Sequence, residues 1–269
     1  MEVGQCDHLL LQRDRAFLSV VFDRPQVRNA MNLEMVHELE RVMKAVAASD
    51  EIRAVILRGA HGHFCAGGDV KDMVQAQERQ QQDPQSDPFY ALNRAFGRLL
   101  CLVDALPQTV ICVLEGSVLG GGFGLACVSD VAICLANAKF GLPETGLGIP
   151  PAQIAPFVVR RIGLTQARYL ALVGPWFQGD EALRLGLVHR VATDADGLKK
   201  ELDQVLTALA SRGPKANAVT KQLMHRVGSK PINDLLDDAA HAFSEAIRGP
   251  EGREGTLAFA QKRKPKWAL

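Results

Sequence analysis

What this chain has little of narrows its function first. Its 31 Lys and Arg nearly cancel 30 Asp and Glu, leaving a net charge of +1. So small a charge gives no electrostatic case for nucleic acid or an anionic membrane as partner. No basic patch interleaved with aromatic residues points to RNA either. The six cysteines (Cys6, Cys65, Cys101, Cys112, Cys127 and Cys134) form no C-x-x-C pair, and most sit in apolar runs. They read as reduced, buried thiols. His61 and His63 lack a third ligand at a recognisable spacing, so no metal is expected. The apolar stretch over residues 109–135 is broken by Glu115, Asp130 and several glycines, which excludes a membrane span. The opening residues, MEVGQCDHLL, lack both a basic region with a long apolar core and an Arg/Ser-rich presequence, so a cytoplasmic protein is expected. No dinucleotide fingerprint is present, since counting G-x-G-x-x-G from Gly120 lands on Leu125. No internal sequence repeat is evident.

What is present is ordinary globular material. The 269 residues are 47% apolar and 23% charged, enough for one broad core with an appendage. Residues 9–11 and 18–22 read as paired strands around a polar turn at 12–15. A helix is expected from Asn32, which is a plausible N-cap, and a buried strand at 54–57. Asp69 is placed to cap a helix starting at Val70, and that role outweighs a catalytic one. Residues 75–88 (QAQERQQQDPQSDP) are polar and proline-broken and read as a mobile surface segment. A helix resumes over 89–104. Residues 145–163 mix proline, glycine and apolar residues, as a pocket-lining loop does. Short helices are expected at 164–173 and 180–187. From about Asp194 the chain is mostly helical, which divides it into a core of residues 1–193 and a helical region of 194–269. Alternating strands and helices favour an α/β architecture.

The chain is organised around residues 109–144. TVICVL is a β-branched run ending at Glu115-Gly116, and it reads as a buried strand. Gly120, Gly121 and Gly122 then open a short helix over about 123–128, and DVAICLA forms the next strand. A glycine cluster opening a helix gathers unpaired N–H groups and the positive end of the helix dipole at one point. It is suited to stabilise a developing oxyanion, and it equally serves close packing of strand and helix. The carboxylate of Glu144 follows the second strand. Glu115 reads as structural.

FCAGGDV, VLGGGFGLA and FGLPE, in this order, resemble the enoyl-CoA hydratase/isomerase (crotonase) family, and the likeness runs from DRPQVRNAMN to FAQKRKPKW. The resemblance implies a spiral of ββα units, with a helical C-terminal region that drives a trimer, often paired into a hexamer. It implies a coenzyme A thioester as substrate, with no separate cofactor. By motif position Ala66 and Gly121 donate backbone N–H groups to the thioester oxygen, beside Gly120. Gly67, Gly68 and Asp69 fall in the CoA-contacting loop, and Arg28 at the position meeting the nucleotide. Phe259 and Lys262 resemble the C-terminal residues that approach CoA.

Hydratases of the family commonly carry two glutamates. Glu144 matches the second, and Gly124 stands where the first is expected. A single carboxylate suffices for a Δ3,Δ2-enoyl-CoA isomerase, or for a hydratase whose water supplies both proton and hydroxyl. The run after Glu144 resembles the bacterial methylglutaconyl-CoA hydratase branch and its isohexenylglutaconyl-CoA relative in acyclic terpene breakdown. Loss of a side chain at position 124 is expected to leave room for a C3 branch. It also removes a like charge, worth roughly 4 kcal/mol at 4 Å and an effective dielectric near 20. Arg160 or Arg161 is a candidate partner for the distal carboxylate of such a substrate. A CoA-ester binding subunit with little turnover is the reading from a different class.

Overall fold

The computed structural model describes residues 4–268. Strands β1 (Leu9–Asp14) and β2 (Phe17–Phe22) form an antiparallel hairpin with Leu9 opposite Phe22. The hairpin turns at Arg15, at φ 52°, so β1 runs further than the polar residues 12–15 indicated. Helix α1 (Leu33–Ala47) starts where expected, with the Asn32 side chain accepting from the Met35 N–H at 3.0 Å. It buries Met35, Leu39, Val42, Met43 and Val46 along one stripe. β3 (Ala54–Gly59) pairs parallel with β2.

Asp69 caps α2 (Val70–Gln82), accepting from the Lys71 N–H at 3.0 Å. That helix takes in residues 75–82 of the polar segment read as a mobile surface stretch over 75–88, leaving 83–87 outside any helix or strand and nearly all of it at the surface. Gln, Glu, Arg and Ala are adequate helix formers, but only Ala76 of α2 is buried, so no apolar stripe betrayed the helix. α3 (Pro88–Asp104) follows, capped by Asp87.

β4 (Thr109–Leu114), β5 (Ser117–Leu119), α4 (Gly121–Cys127), β6 (Val131–Leu135) and β7 (Lys139–Gly141) come next. The expected loop at 145–163 instead holds a 3₁₀ turn (Glu144–Leu147) and α5 (Ala155–Ile162). Pro156 lies in the first turn of α5, where a missing N–H costs nothing. α6 (Leu164–Val173), α7 (Gly179–Arg184) and β8 (Arg190–Ala192) complete this part. The remaining helices are α8 (Ala195–Ala210), α9 (Pro214–His225), α10 (Ile232–Arg248) and α11 (Pro250–Ala260).

Six strands make one sheet in the order β1-β2-β3-β4-β6-β8, and β5 pairs parallel with β7 in a second. Isolated bridges join Met31 to Gly68, Cys65 to Val118 and Phe140 to Phe177. Each turn of the chain therefore gives one strand to the large sheet, a short strand or bridge to the second row, and then a helix. That is the spiral of ββα units. Among the described residues no helix is long and apolar enough to cross a membrane.

The chain divides into two compact units. One runs through Leu106 and resumes over Val110–Glu201; the other holds Pro107–Thr109 and the chain from Leu202. The first of these units takes in the start of α8, where Leu198 is buried and Glu201 pairs with Arg190. In the first unit the core gathers Val20, Phe22, Leu57 and Leu114 with Met35, Leu39, Leu99 and Phe123. All six cysteines are free thiols, and Cys65, Cys112, Cys127 and Cys134 are buried as expected, whereas Cys101 is exposed.

Candidate active site

Three loops of the first unit meet at Gly120. Its φ of 47° and ψ of −112° turn the chain from β5 into α4, a conformation that disfavours any side chain. A Cβ there would lie 2.8 Å from Glu144 Oε1 and 3.6 Å from Gly67 Cα. The Glu144 carboxylate and the Gly67 backbone thus both border the bare backbone of Gly120. Gly67, at φ 102°, is likewise a position that only glycine adopts without strain.

Gly121 is the first residue of α4. Among the described residues no acceptor in the chain receives its N–H, as expected of a first-turn donor. Met31 Cε and Phe96 Cζ flank it, 2.7 and 3.2 Å from where a Cβ would sit. The Ala66 N–H differs, since it donates to the Arg28 carbonyl at 3.1 Å. Arg28 is exposed and sits with Asn29 in a left-handed turn, at φ 51° and 58°. To reach a ligand, the Ala66 N–H must share or exchange that carbonyl.

The glycine loop is pinned from below. Met31 N–H donates to Gly67 O and Asp69 N–H to Met31 O, both at 2.8 Å, and Cys65 N–H donates to Ser117 O at 2.8 Å. The Arg24 guanidinium meets the Asp69 carboxylate at 2.8 Å, with both groups buried. Burial pushes the Asp69 carboxyl up, but the Arg24 hydrogen bond and charge and the Lys71 amide outweigh it, leaving Asp69 below the usual carboxylate range. Asp69 is therefore committed to the helix cap and the ion pair.

Glu144 opens the 3₁₀ turn directly after Pro143. Its Oε2 is buried and, among the described residues, has no hydrogen-bond partner. Desolvation raises its pKa above the ordinary glutamate value. A carboxylate with a raised pKa and one unpartnered oxygen, near a free N–H donor, can take up and return a proton while a neighbouring oxyanion forms.

A family model described as enoyl-CoA hydratase/isomerase matches residues 12–268. The short-chain-enoyl-CoA hydratase of Clostridium acetobutylicum is 30% identical over 263 residues, which cover 97% of each chain. The chain belongs to the enoyl-CoA hydratase/isomerase family. Two solved structures share its fold. An enoyl-CoA hydratase/isomerase from Marinobacter aquaeolei has a TM-score of 0.94 at 53% identity, covering 98% of this chain and 100% of that one. Pseudomonas aeruginosa AtuE also has a TM-score of 0.94, at 57% identity with the same coverage.

Within this enoyl-CoA hydratase/isomerase fold, position 124 overturns one expectation. A Cβ on Gly124 would lie 2.4 Å from Ile154 Cγ2 and 3.6 Å from Leu100 Cδ1. The place of a first glutamate is filled by the buried Ile154 side chain, so it offers no room for a substrate branch. Nothing around Gly124 in the sequence signals this, because Ile154 returns to α4 only after the chain has turned at Glu144.

The two arginines considered for a distal carboxylate are both engaged elsewhere. Arg160 pairs with Asp104 at 2.8 Å on the surface. Arg161 donates to the carbonyls of Leu187 at 2.8 Å and Ser129 at 3.0 Å, tying α5 to its neighbours. Glu115 pairs with Arg58 at 3.4 Å, in keeping with a structural part. His63 Nδ1 accepts the Ser117 N–H at 3.1 Å, so that histidine fixes the strand before the glycine cluster. Gly68 bridges to Met31. Phe259, 88% exposed, and Lys262, at φ 52°, close α11 in the second unit.

Proposed function

We propose that this chain is an enoyl-CoA hydratase acting on a 3-branched glutaconyl-CoA, either the isohexenyl or the 3-methyl ester, in terpenoid or leucine breakdown. The observation that carries the reading is the Glu144 carboxylate, desolvated and with Oε2 unpartnered, lying against Gly120, whose neighbour Gly121 has a free N–H. Glu144 takes a proton from water, the hydroxide adds to C3, and the electron pair moves to the thioester oxygen. Gly121 N–H stabilises that oxyanion, with Ala66 N–H joining when it releases Arg28. Each such donor is worth about 2.7–4 kcal/mol by the measured loss of an oxyanion-hole donor. The enolate then collapses as Glu144 returns its proton to C2. Water is added in sum, and no cofactor takes part, coenzyme A being part of the substrate.

The branch is not the reason for glycine at position 124, since Ile154 fills that volume. Charge is. An isoleucine beside the reacting carbons presents no anion to a substrate that already carries a second carboxylate. Arg28, Gly67, Gly68, Phe259 and Lys262 are assigned to coenzyme A on their motif positions alone.

The apolar surroundings of Gly124 also favour a second reading. One proton-handling group is all that a Δ3,Δ2-enoyl-CoA isomerase requires. Assays of purified protein with methylglutaconyl-, isohexenylglutaconyl-, crotonyl- and a 3-enoyl-CoA separate the two. Hydration of a glutaconyl ester faster than crotonyl-CoA is expected. Isomerisation of the 3-enoyl ester with no hydration of either glutaconyl ester would replace hydratase by isomerase. No turnover of any ester would leave a CoA-ester binding subunit.

A further inference from the structure

The thiol of Cys65 has no part in the proton chemistry, yet it sits between the two glycine loops. Cys65 is wholly buried and precedes Ala66 in the loop after β3. Its N–H donates to Ser117 O at 2.8 Å, and its carbonyl accepts the Leu119 N–H at 3.0 Å. These two bonds lay the loop alongside β5, whose chain leads into Gly120 and Gly121. The Cys65 carbonyl and the Ala66 N–H belong to one planar trans peptide and point in opposite directions. Holding the carbonyl on Leu119 therefore fixes the line along which Ala66 presents its N–H.

The sulfur adds a second hold. Gly67 N–H donates to Cys65 Sγ at 3.4 Å, and Sγ donates to Gly67 O at 3.5 Å, closing a short ring around Ala66. On the other loop, a Cβ on Gly122 would lie 2.8 Å from Cys65 Cβ, 2.9 Å from its carbonyl oxygen and 3.3 Å from Sγ. Only glycine lets α4 start so close to Cys65. Burial pushes the thiol up to about 12, and backbone hydrogen bonds from Gly67, Met31 and Gly122 only partly offset it. The group is a neutral thiol and not a nucleophile. The residues it meets, Gly67 and Gly122, each follow one of the two donors, Ala66 and Gly121.

We propose that Cys65 is a positioning residue for the oxyanion site, its neutral thiol clasping Gly67 and Gly122 and so setting the spacing of the Ala66 and Gly121 N–H groups. This role rests on the reading of those two groups as oxyanion donors, which the hydratase and isomerase readings share. Raman difference spectra of bound butyryl-CoA, which has no double bond to hydrate, read the polarisation of the thioester C=O apart from turnover. Wild type is expected to lower the stretch relative to free butyryl-CoA.

Cys65→Ala is expected to lose part of that shift. Its kcat, with whichever assayed ester is turned over fastest, falls roughly 10- to 100-fold at little change in KM, short of the loss from removing a donor outright. Cys65→Ser, whose hydroxyl also donates and accepts, restores most of both. Cys134→Ala removes an equally buried sulfur in β6 beside Gly179, outside both loops, and matches wild type. A wild-type shift and kcat in folded Cys65→Ala, or equal losses in Cys134→Ala, overturns the role. If Cys65→Ala does not fold, Cys65→Val takes its place, filling the space without an acceptor, and a full shift there overturns the role equally. If wild type leaves the stretch where free butyryl-CoA has it, the oxyanion reading falls and the thiol's role with it. A wild-type shift that ignores Cys65 leaves that reading standing and removes only the thiol from it.

Discussion

At the scale of single residues the proposed chemistry rests on one carboxylate, Glu144, whose Oε2 is buried and unpartnered. Glu144→Gln keeps the shape and removes the base, so kcat is expected to fall by about 10²- to 10⁴-fold with CoA-ester binding retained. Single-turnover kinetics beside a binding titration check this, and more than a tenth of wild-type kcat would refute the base assignment. The pH dependence has a definite sign. Glu144 must be ionised to act, and burial raises its pKa, so the acid limb of kcat/KM lies above the ordinary glutamate value of 4.5. The same raised pKa means that Glu144 favours folding below its unfolded pKa and loses that contribution as pH rises through the folded value. The gain in Tm of Glu144→Gln over wild type is therefore expected to be larger at pH 7 than at pH 4. Equal gains at both would contradict the desolvation. Glu144 and the glycines were legible because they lie within one stretch of chain. Ile154 was not, since it gains its meaning from Gly124, a residue on another element. Gly124→Glu tests that hidden contact. Ile154 Cγ2 stands 2.4 Å from the added Cβ, and overpacking of this kind costs about 1–3 kcal/mol. Gly124→Glu with Ile154→Ala should recover most of the loss in urea unfolding, and a double variant no more stable than the single would show that Ile154 is not the obstacle.

Among the elements, the loop between β3 and α2 needs the most support, because Gly67 has a positive φ and the loop has no strand of its own. Arg24 and Asp69 supply it, joining the turn after β2 to the cap of α2. Arg24→Met leaves the Asp69 carboxylate buried without its cation, and loss of one partner of such a pair costs about 3–5 kcal/mol. Arg24→Met with Asp69→Asn should be less damaging than Arg24→Met alone, since the amide still caps the helix without a stranded charge. Equal urea midpoints for wild type and Arg24→Met would refute this. Elements with a strong apolar pattern, such as α1, α3, β4 and β6, were readable from sequence. α2 was not, having only Ala76 buried. Nor were β5, β7 and β8, each of three residues, because so short a run has no period to read. Those short strands and the isolated bridges carry the second row of every ββα turn. A structural repeat thus exists without a sequence repeat, with different residues meeting the same pairing geometry in each turn.

For the whole molecule, the outward face of the C-terminal helices sets the question of assembly. In α10, Ile232, Leu236, Phe243 and Ile247 recur at spacings that place them on one stripe, and Phe243 is 70% exposed. Met224 and Val227 at the end of α9 and Phe259 in α11 add to the apolar surface of the second unit. Isolated exposed apolar residues are unremarkable, but a helical stripe flanked by such neighbours marks an interaction surface. Covering each large side chain gains about 1.5–3 kcal/mol, so a chain left alone forgoes several such gains at once. Closed rings of identical chains satisfy such a face on every copy. A trimer or hexamer is expected by sedimentation velocity at micromolar concentration. Phe243→Asp places a charge in the middle of the stripe, and should shift the protein toward smaller species while leaving its folded helix content intact. A wild-type monomer across that concentration range would contradict the assembly, and an unshifted Phe243→Asp oligomer would move the interface away from α10.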